Sequence, residues 1–145
     1  LWGRANGKWY RMREYYFDSR KEGRQRTDEE HYTELEKLAD GLHISAVIVD
    51  PSAASFIEVI RRHGRFRVEK ASNAVIDGIR NVATRLQCGD IFICDCCADC
   101  IREFGMYRWD EKALMDKPIK ENDHSMDDVR YFVHKVFAPE LFSFK

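Results

Sequence analysis

Ile44-Ser45-Ala46-Val47-Ile48-Val49-Asp50-Pro51 is the stretch that decides the fold class. The first six residues form a run rich in β-branched side chains, and Asp50-Pro51 ends it. A continuous run of this kind predicts a strand buried on both faces, because it lacks the regular polar alternation of a half-exposed strand. We therefore expect this strand to be central in a sheet that carries helices on each side.

Predicted helices and strands alternate on both sides of that strand. Asn6-Gly7 between two aromatic-rich runs is typical of a β-hairpin, and Thr27 with Glu30 has the spacing of a helix capping box. The further predicted elements are a helix over 27–40, a helix ending at Gly64, helices over 73–86, 97–109 and 123–136, strands over 66–68 and 90–94, and a charged linker over 110–122. This order predicts an α/β fold with helices on both faces of a sheet.

The composition limits the function classes. The chain has 145 residues, which fits a single domain on a prior of ~100–200 residues per domain. Its 24 Lys and Arg residues are balanced by 25 Asp and Glu residues, so any nucleic-acid site must be a local patch. No apolar run approaches the ~18 residues of a membrane-spanning helix, and no signal peptide is visible. Five cysteines crowd into residues 88–100, which argues against a disulfide framework and for a reducing setting.

Asp50 is the first candidate site residue. It directly follows the predicted central strand, and ligands of open α/β sheets bind beyond the carboxyl ends of strands. The alternative is a structural Asp that forms an Asx-turn or a helix cap before Pro51. Position alone leaves both interpretations open.

The second candidate is the acidic segment at the start of the last predicted helix. Asp123 and Asp127 are four residues apart and His124 and Asp127 are three apart, so these side chains share a helix face. Carboxylates with an imidazole suit a hard cation such as Mg²⁺, which one or two carboxylates hold together with phosphate and water. Asp50 and Asp127 together suggest metal-assisted phosphodiester hydrolysis, in which two ions ~3.5–4 Å apart hold the attacking and leaving oxygens. The alternative is a helix start whose acids favour its positive end.

Four segments, in chain order, share one resemblance. They are residues 23–30, residues 49–56 (Val-Asp-Pro-Ser-Ala-Ala-Ser-Phe), residues 77–80 (Asp-Gly-Ile-Arg) and residues 117–131, which contain Asn-Asp-His-Ser-Met-Asp-Asp-Val-Arg-Tyr. They resemble the large terminase subunit of tailed phages and prophages, specifically its C-terminal nuclease domain. The resemblance covers nearly the whole chain, and residues 117–131 are its most specific part.

The resemblance implies a ribonuclease H-like mixed sheet with helices on both faces. It also implies an endonuclease that cuts concatemeric double-stranded DNA during packaging, with Mg²⁺ or Mn²⁺ as cofactor. It assigns Asp50, Asp127 and His124 to the catalytic site, and Asp123 is a neighbour that could assist in holding the metal. The implied partners are the terminase ATPase domain, the small terminase subunit and the portal, in a packaging motor in the bacterial host cytoplasm, with no membrane.

The chain departs from the family pattern at its start. The family's first catalytic aspartate lies on a strand upstream of the hairpin, whereas Leu1 falls where that strand should already have ended. We therefore expect a single nuclease domain over residues 1–145 that lacks the first strand and the ATPase domain. The alternative is a catalytically inactive remnant of this fold with a DNA-binding or motor-assembly role.

Basic residues form a candidate DNA contact. They lie around a predicted helix end and the strand that follows it, and phosphate contacts supply most sequence-independent affinity for DNA. The residues concerned are Arg61, Arg62, Arg65, Arg67 and Lys70. An ordinary solvated surface is the alternative.

The cysteines define a third function class, a zinc-stabilised interaction module. Cys94, Cys96, Cys97 and Cys100 offer enough thiolates for one structural zinc ion. Structural zinc sites more often pair two separated cysteine knuckles, and the sequence has no second knuckle. We therefore expect free thiols rather than zinc.

Overall fold

A computed structural model describes residues 1–141 of the chain, with side chains as far as residue 137, and it has the predicted mixed α/β architecture. In chain order the elements are β1 (Trp2–Ala5), β2 (Lys8–Arg11), α1 (Ser19–Glu22), α2 (Asp28–Leu38), β3 (Val47–Val49), α3 (Ala54–His63), β4 (Val68–Lys70), α4 (Val75–Gln87), β5 (Ile91–Ile93), α5 (Ala98–Met106) and α6 (His124–Leu141). Their order and type match the prediction, except that the short α1 lies in a segment predicted as a loop.

The strands form two sheets in the described part of the chain. β1 pairs antiparallel with β2 through a turn at Asn6 and Gly7, where φ is 52° and 76°, and β5 pairs parallel with β2. β3 pairs parallel with β4, with Val47 opposite Val68. The predicted central position of the strand at 44–49 is wrong for residues 1–141: only Val47–Val49 form a strand, and β3 is the edge of a two-stranded sheet. The reason is that a groove, rather than a further strand, lies on its other side.

Each sheet packs its own hydrophobic core. Ile91, Val129 and Val133 are fully buried where β5 meets α6, and α4 and α5 complete this core. The Trp2 ring stacks on Phe132 with centroids 4.1 Å apart. The hairpin aromatics therefore pack against α6. The second core joins α2, α3 and β3 around Tyr32, Ile57 and Ile60.

An apolar groove of about 530 Å³ separates the two sheets. Trp2 and Trp9 line one side, Val47 and Ile48 line the other, and Phe132 contributes as well. Within residues 1–141, β1 and β3 each have a strand neighbour on one side only, and both strands border this groove. The groove is therefore where the two sheets could be joined.

Several boundaries differ from the predicted ones. β4 begins two residues after the predicted start at 66, α5 ends at Met106, and α6 continues past 136. The predicted linker is an irregular loop in which Trp109 and Pro118 form an antiparallel bridge. Among the helices described up to residue 141, none has the length and apolar character needed to cross a membrane.

Candidate functional site

Asp50 lies directly after β3, and two separate elements hold its carboxylate. Oδ1 accepts a hydrogen bond from the Ser52 amide at 2.8 Å, which is the geometry of an Asx-turn. Oδ2 accepts a hydrogen bond from the Tyr131 hydroxyl on α6 at 2.9 Å. The Ser52 amide lowers the pKa of Asp50 most strongly, burial opposes it, and the Tyr131 hydroxyl and the Arg130 charge lower it further. The structural role of Asp50 in a turn is confirmed, and its second oxygen is directed at α6.

The start of α6 places two carboxylates beside one ammonium group. The Asp123 carbonyl accepts a hydrogen bond from the Asp127 amide at 2.8 Å, which opens the helix. Lys120 Nζ lies 4.0 Å from Oδ2 of Asp123 and 4.0 Å from Oδ2 of Asp127. This convergence confirms that the two acids share a face.

Arg130 binds Asp127 from inside the protein. Its residue surface is 2% exposed, and Nη2 donates to Asp127 Oδ1 at 2.8 Å while Nη1 donates to the Ala74 carbonyl at 3.1 Å. The side chain reaches both by crossing Gly78 of α4, where an added Cβ would lie 2.5 Å from Arg130 Cγ. Gly78 is therefore required for close approach, whereas its neighbour Asp77 is exposed.

The charges of these acids raise the pKa values of two tyrosines. The pKa of Tyr131 is raised to about 12, first by burial, then by the hydrogen bond to Asp50, with the Asp127 charge adding. The pKa of Tyr107 is also raised, first by burial and then by the charges of Asp127 and Asp123. The Tyr131 hydroxyl therefore links Asp50 to α6, the helix that begins directly after Asp123 and carries Asp127 in its first turn.

The donor set of this site suits one hard cation. Asp50 and Asp127 offer carboxylate oxygens, and Mg²⁺ is held by one or two carboxylates with water and phosphate completing its shell. Within residues 1–141 there is no group of three or more His, Cys, Asp or Glu side chains placed to hold a metal ion. A centre of two ions would need a further ligand beyond these acids.

His124 lies at the edge of the site. It is exposed, and its ring meets the Tyr16 ring edge-on with centroids 6.2 Å apart. Among the contacts described, Asp127 binds Arg130 and His124 meets Tyr16, so sharing a helix face has not brought His124 and Asp127 into contact.

Glu103 supports the site, although the sequence patterns do not single it out. This fully buried acid accepts hydrogen bonds from the Ser125 amide at 2.6 Å and from the Tyr16 hydroxyl at 2.7 Å. One feature of the sequence indicates it. Glu103 follows Cys100 by three residues, so it lies on the same apolar face of α5, where an acid is unusual.

Much of the basic cluster over residues 61–70 is paired with acids. The ion pairs join Arg62 to Glu29 (3.2 Å), Arg65 to Glu36 (3.3 Å) and Arg67 to Glu69 (2.7 Å). Arg61 and Lys70 are exposed. The paired acids reduce the positive potential that would attract DNA phosphates, which favours the solvated-surface interpretation for those arginines.

The cysteine thiols have different surroundings. The exposed Cys96 donates to the Met12 carbonyl at 3.1 Å, and the buried Cys97 donates to the Arg11 carbonyl at 3.4 Å. Burial raises the pKa of Cys97 to about 11, with Cys96 adding, and raises the pKa of Cys100 to about 12.

The fold and the site define a mixed α/β domain in which adjacent residues of one helix contact an acid at a strand end and an acid at the helix start. No protein-family model matches the chain. The chain is 24% identical over 128 residues to the large terminase subunit of Escherichia phage T5, a match that covers 84% of this chain and 29% of that protein.

Solved structures of the large terminase from a thermophilic bacteriophage are more similar. The structure in complex with ADP matches with a TM-score of 0.91 and 49% identity over 98% of this chain and 36% of that chain. Another structure of the same large terminase matches with a TM-score of 0.89 and 48% identity over 94% of this chain and 35% of that chain. The chain is therefore homologous to terminase large subunits, and it spans about a third of the length of these relatives.

Proposed function

We propose that this chain is the nuclease domain of a phage terminase large subunit, a metal-dependent endonuclease that cuts concatemeric double-stranded DNA. The observation that carries the proposal is that adjacent residues of α6 hold both principal acids. Tyr131 donates to Asp50 and Arg130 donates to Asp127. Cation-dependent phosphodiester hydrolysis requires carboxylates held in fixed positions. The homology with terminase large subunits supports DNA as the substrate.

Asp50 and Asp127 would hold Mg²⁺ or Mn²⁺, with Asp123 beside them. When bound, the ion supplies Lewis-acid activation of a phosphate and stabilises the charge that develops on it. The chain's own residues orient the donors: the Tyr131 hydroxyl fixes one oxygen of Asp50, and the Arg130 guanidinium fixes one oxygen of Asp127.

Lys120 and His124 flank these acids. The exposed Lys120 ammonium lies beside the carboxylates, where it is suited to a phosphate oxygen of the DNA backbone. His124 is exposed at the start of α6, and an imidazole there can take or give a proton during hydrolysis.

A further strand would complete both the sheet and the site under this proposal. β1 and β3 border one groove, and a strand between them would join the two sheets into a single ribonuclease H-like mixed sheet. The resemblance assigns the first acidic ligand to such a strand. A strand in this position would both fill the groove and supply the third acid.

A catalytically inactive remnant with a DNA-binding or motor-assembly role is the second candidate. It is favoured by one observation: the residues described up to 141 include no group of three or more potential metal ligands. Both candidates have double-stranded DNA, the ATPase domain, the small terminase subunit and the portal as partners in the host cytoplasm.

Nicking of a supercoiled plasmid with Mn²⁺ tests the proposal. Asp127→Asn preserves an acceptor for Arg130 but removes the carboxylate charge, so we expect it to abolish nicking, as should Asp50→Asn. Asp77→Asn is the matched control, because this exposed acid lies on α4 and should leave nicking unchanged. Nicking that survives Asp127→Asn contradicts the site, and a wild-type chain that binds DNA without nicking it supports the second candidate.

DNA binding by the basic cluster is tested separately. If this cluster contacts DNA, replacing Arg61, Arg62 and Arg65 by Ala reduces the slope of log affinity against log salt by about 0.9 for each DNA phosphate that these side chains neutralise. Because Arg62 and Arg65 are paired with Glu29 and Glu36, we expect little change in the slope. An unchanged slope excludes this cluster from the DNA interface.

A further inference from the structure

We propose that Glu103 is a positioning residue for the candidate site: it caps the start of α6 in place of Asp123 and thereby leaves the Asp123 carboxylate beside Asp127. The positioning role of Glu103 rests on the proposed function. The capping relation itself rests on geometry alone.

The first amides of any α-helix have no partner within the helix. An Asp at the position before the helix usually accepts a hydrogen bond from the second or third helical amide. In α6 that position is occupied by Asp123, yet the amides of Ser125 and Met126 donate to Glu103 Oε2 at 2.6 Å and 3.3 Å. The capping carboxylate therefore comes from α5.

Glu103 is held firmly enough to act as this cap. It is fully buried, and its other oxygen accepts a hydrogen bond from the Tyr16 hydroxyl at 2.7 Å. A buried carboxylate requires such donors because an unsatisfied charge in the interior is costly. The positive end of α6 stabilises the same charge.

The consequence concerns Asp123. Its Oδ2 and that of Asp127 lie equally far, 4.0 Å, from Lys120 Nζ, so both carboxylates converge on one point. A carboxylate engaged with helix amides would have less capacity to face a cation at that point. Glu103 thus supplies the cap, and two acids at the helix start face the site.

Amide hydrogen exchange of the full chain tests the capping relation. Glu103→Ala should lower the protection of the Ser125 and Met126 amides by about tenfold, whereas Glu103→Gln, which keeps an acceptor oxygen, should retain most of it. Asp123→Ala should leave both amides unchanged. Loss of protection in Asp123→Ala, or unchanged protection in Glu103→Ala, overturns the proposal.

Thr27→Ala is the matched control for the loss of a helix cap. Thr27 caps α2 by accepting from the Glu30 amide at 3.2 Å, so its removal should affect that amide and leave α6 unchanged. If Glu103→Ala does not fold, Asp123→Ala and Glu103→Gln still decide the question, because the proposal requires both to keep α6 protected.

Mn²⁺ broadening of the NMR signals of Asp123 and Asp127 tests the positioning role. We expect Glu103→Ala to weaken Mn²⁺ binding by about 10–100-fold and Glu103→Gln to restore most of it. Unchanged Mn²⁺ binding in a folded Glu103→Ala chain overturns the positioning role. Absence of broadening in the wild-type chain contradicts the proposed function instead, while the exchange data still decide the cap.

Discussion

The Tyr131 hydroxyl on α6 lies 2.9 Å from a carboxylate oxygen of Asp50 at the end of β3 and donates a hydrogen bond to it. β3 belongs to the small parallel sheet, whereas α6 packs against the core of the three-stranded sheet. This bond therefore crosses between the two parts of the fold and sets the position of one acid relative to the others. It also places a testable constraint on the charge of Asp50.

Tyr131→Phe should raise the pKa of Asp50, while the Ser52 amide still holds that pKa below its usual value. A carboxyl whose pKa is lowered by folding stabilises the protein above its unfolded pKa of ~3.9, and this stability is lost as the pH falls through the folded pKa. The variant should therefore lose less of its free energy of unfolding on acidification than the wild type. NMR titration of the Asp50 carboxyl carbon measures the shift directly.

Tyr10→Phe is the control for that titration, because the Tyr10 ring stacks on Phe92 and is not part of the site. It should leave the titration of Asp50 unchanged. An Asp50 pKa that does not move in Tyr131→Phe would show that the hydrogen bond does not hold the carboxylate.

Gly78→Ala should destabilise the protein by about 1–3 kcal/mol, because the new Cβ would lie 2.5 Å from Arg130 Cγ and force that side chain to move. Urea unfolding measures the change. Gly105→Ala on α5 is the matched control, since nothing lies within 4 Å of an added Cβ there, and it should be neutral or slightly stabilising. Combined with Arg130→Ala, the cost of Gly78→Ala should shrink, because the clashing atoms are gone. Strictly additive costs would contradict this relation.

The parts of the fold that were predictable depend on local chemistry. The Asn6-Gly7 turn requires two positive φ values, and the Thr27 and Glu30 capping box satisfies amides three residues apart, so both are recognisable in the sequence. The position of β3 in its sheet was not predictable, because it depends on which strands lie beside it. A run of apolar residues such as 44–49 indicates burial but does not distinguish a central strand from one beside an apolar groove.

The candidate site likewise has features that the sequence predicts and features that it does not. The convergence of Asp123 and Asp127 follows from helix periodicity alone. Glu103 reaches the start of α6 from 22 residues earlier, and Tyr131 reaches Asp50 across 81 residues, and no spacing rule covers such pairs. The role of Gly78 is hidden for the same reason, since it depends on a side chain that crosses from another helix.

Four of the five cysteines should divide into two classes in alkylation, and the half-buried Cys94 lies between them. Cys88 and Cys96 are exposed, whereas Cys97 and Cys100 are buried and have pKa values raised to about 11 and about 12. Because the thiolate is the reacting form, iodoacetamide at pH 8 should modify the exposed pair and spare the buried pair until the protein unfolds. Mass spectrometry with and without denaturant identifies the modified residues. Rapid native modification of Cys100 would contradict its burial.

Arg11 connects the N-terminal hairpin to two acids of very different exposure. It is itself buried, its Nη1 donates to Asp128, and its Nη2 lies 3.8 Å from Glu14. The Asp128 side chain is 54% exposed and the Glu14 side chain is 8% exposed. Glu14 also accepts hydrogen bonds from the Asp99 and Cys100 amides at 2.8 Å and 3.2 Å, which caps α5.

Glu14→Ala should consequently cost about 2–4 kcal/mol in the free energy of unfolding, because it removes a helix cap and leaves two partly buried amides without acceptors. Asp128→Ala should cost only about 1 kcal/mol, since an exposed partner of an ion pair contributes little and Arg11 keeps Glu14 nearby. Urea unfolding of the two variants gives the ranking, and Glu14→Gln, which retains an acceptor for the α5 amides, should lie between them. Equal costs for the two alanine variants would mean that Glu14 contributes through its charge on Arg11 and not through the helix it caps.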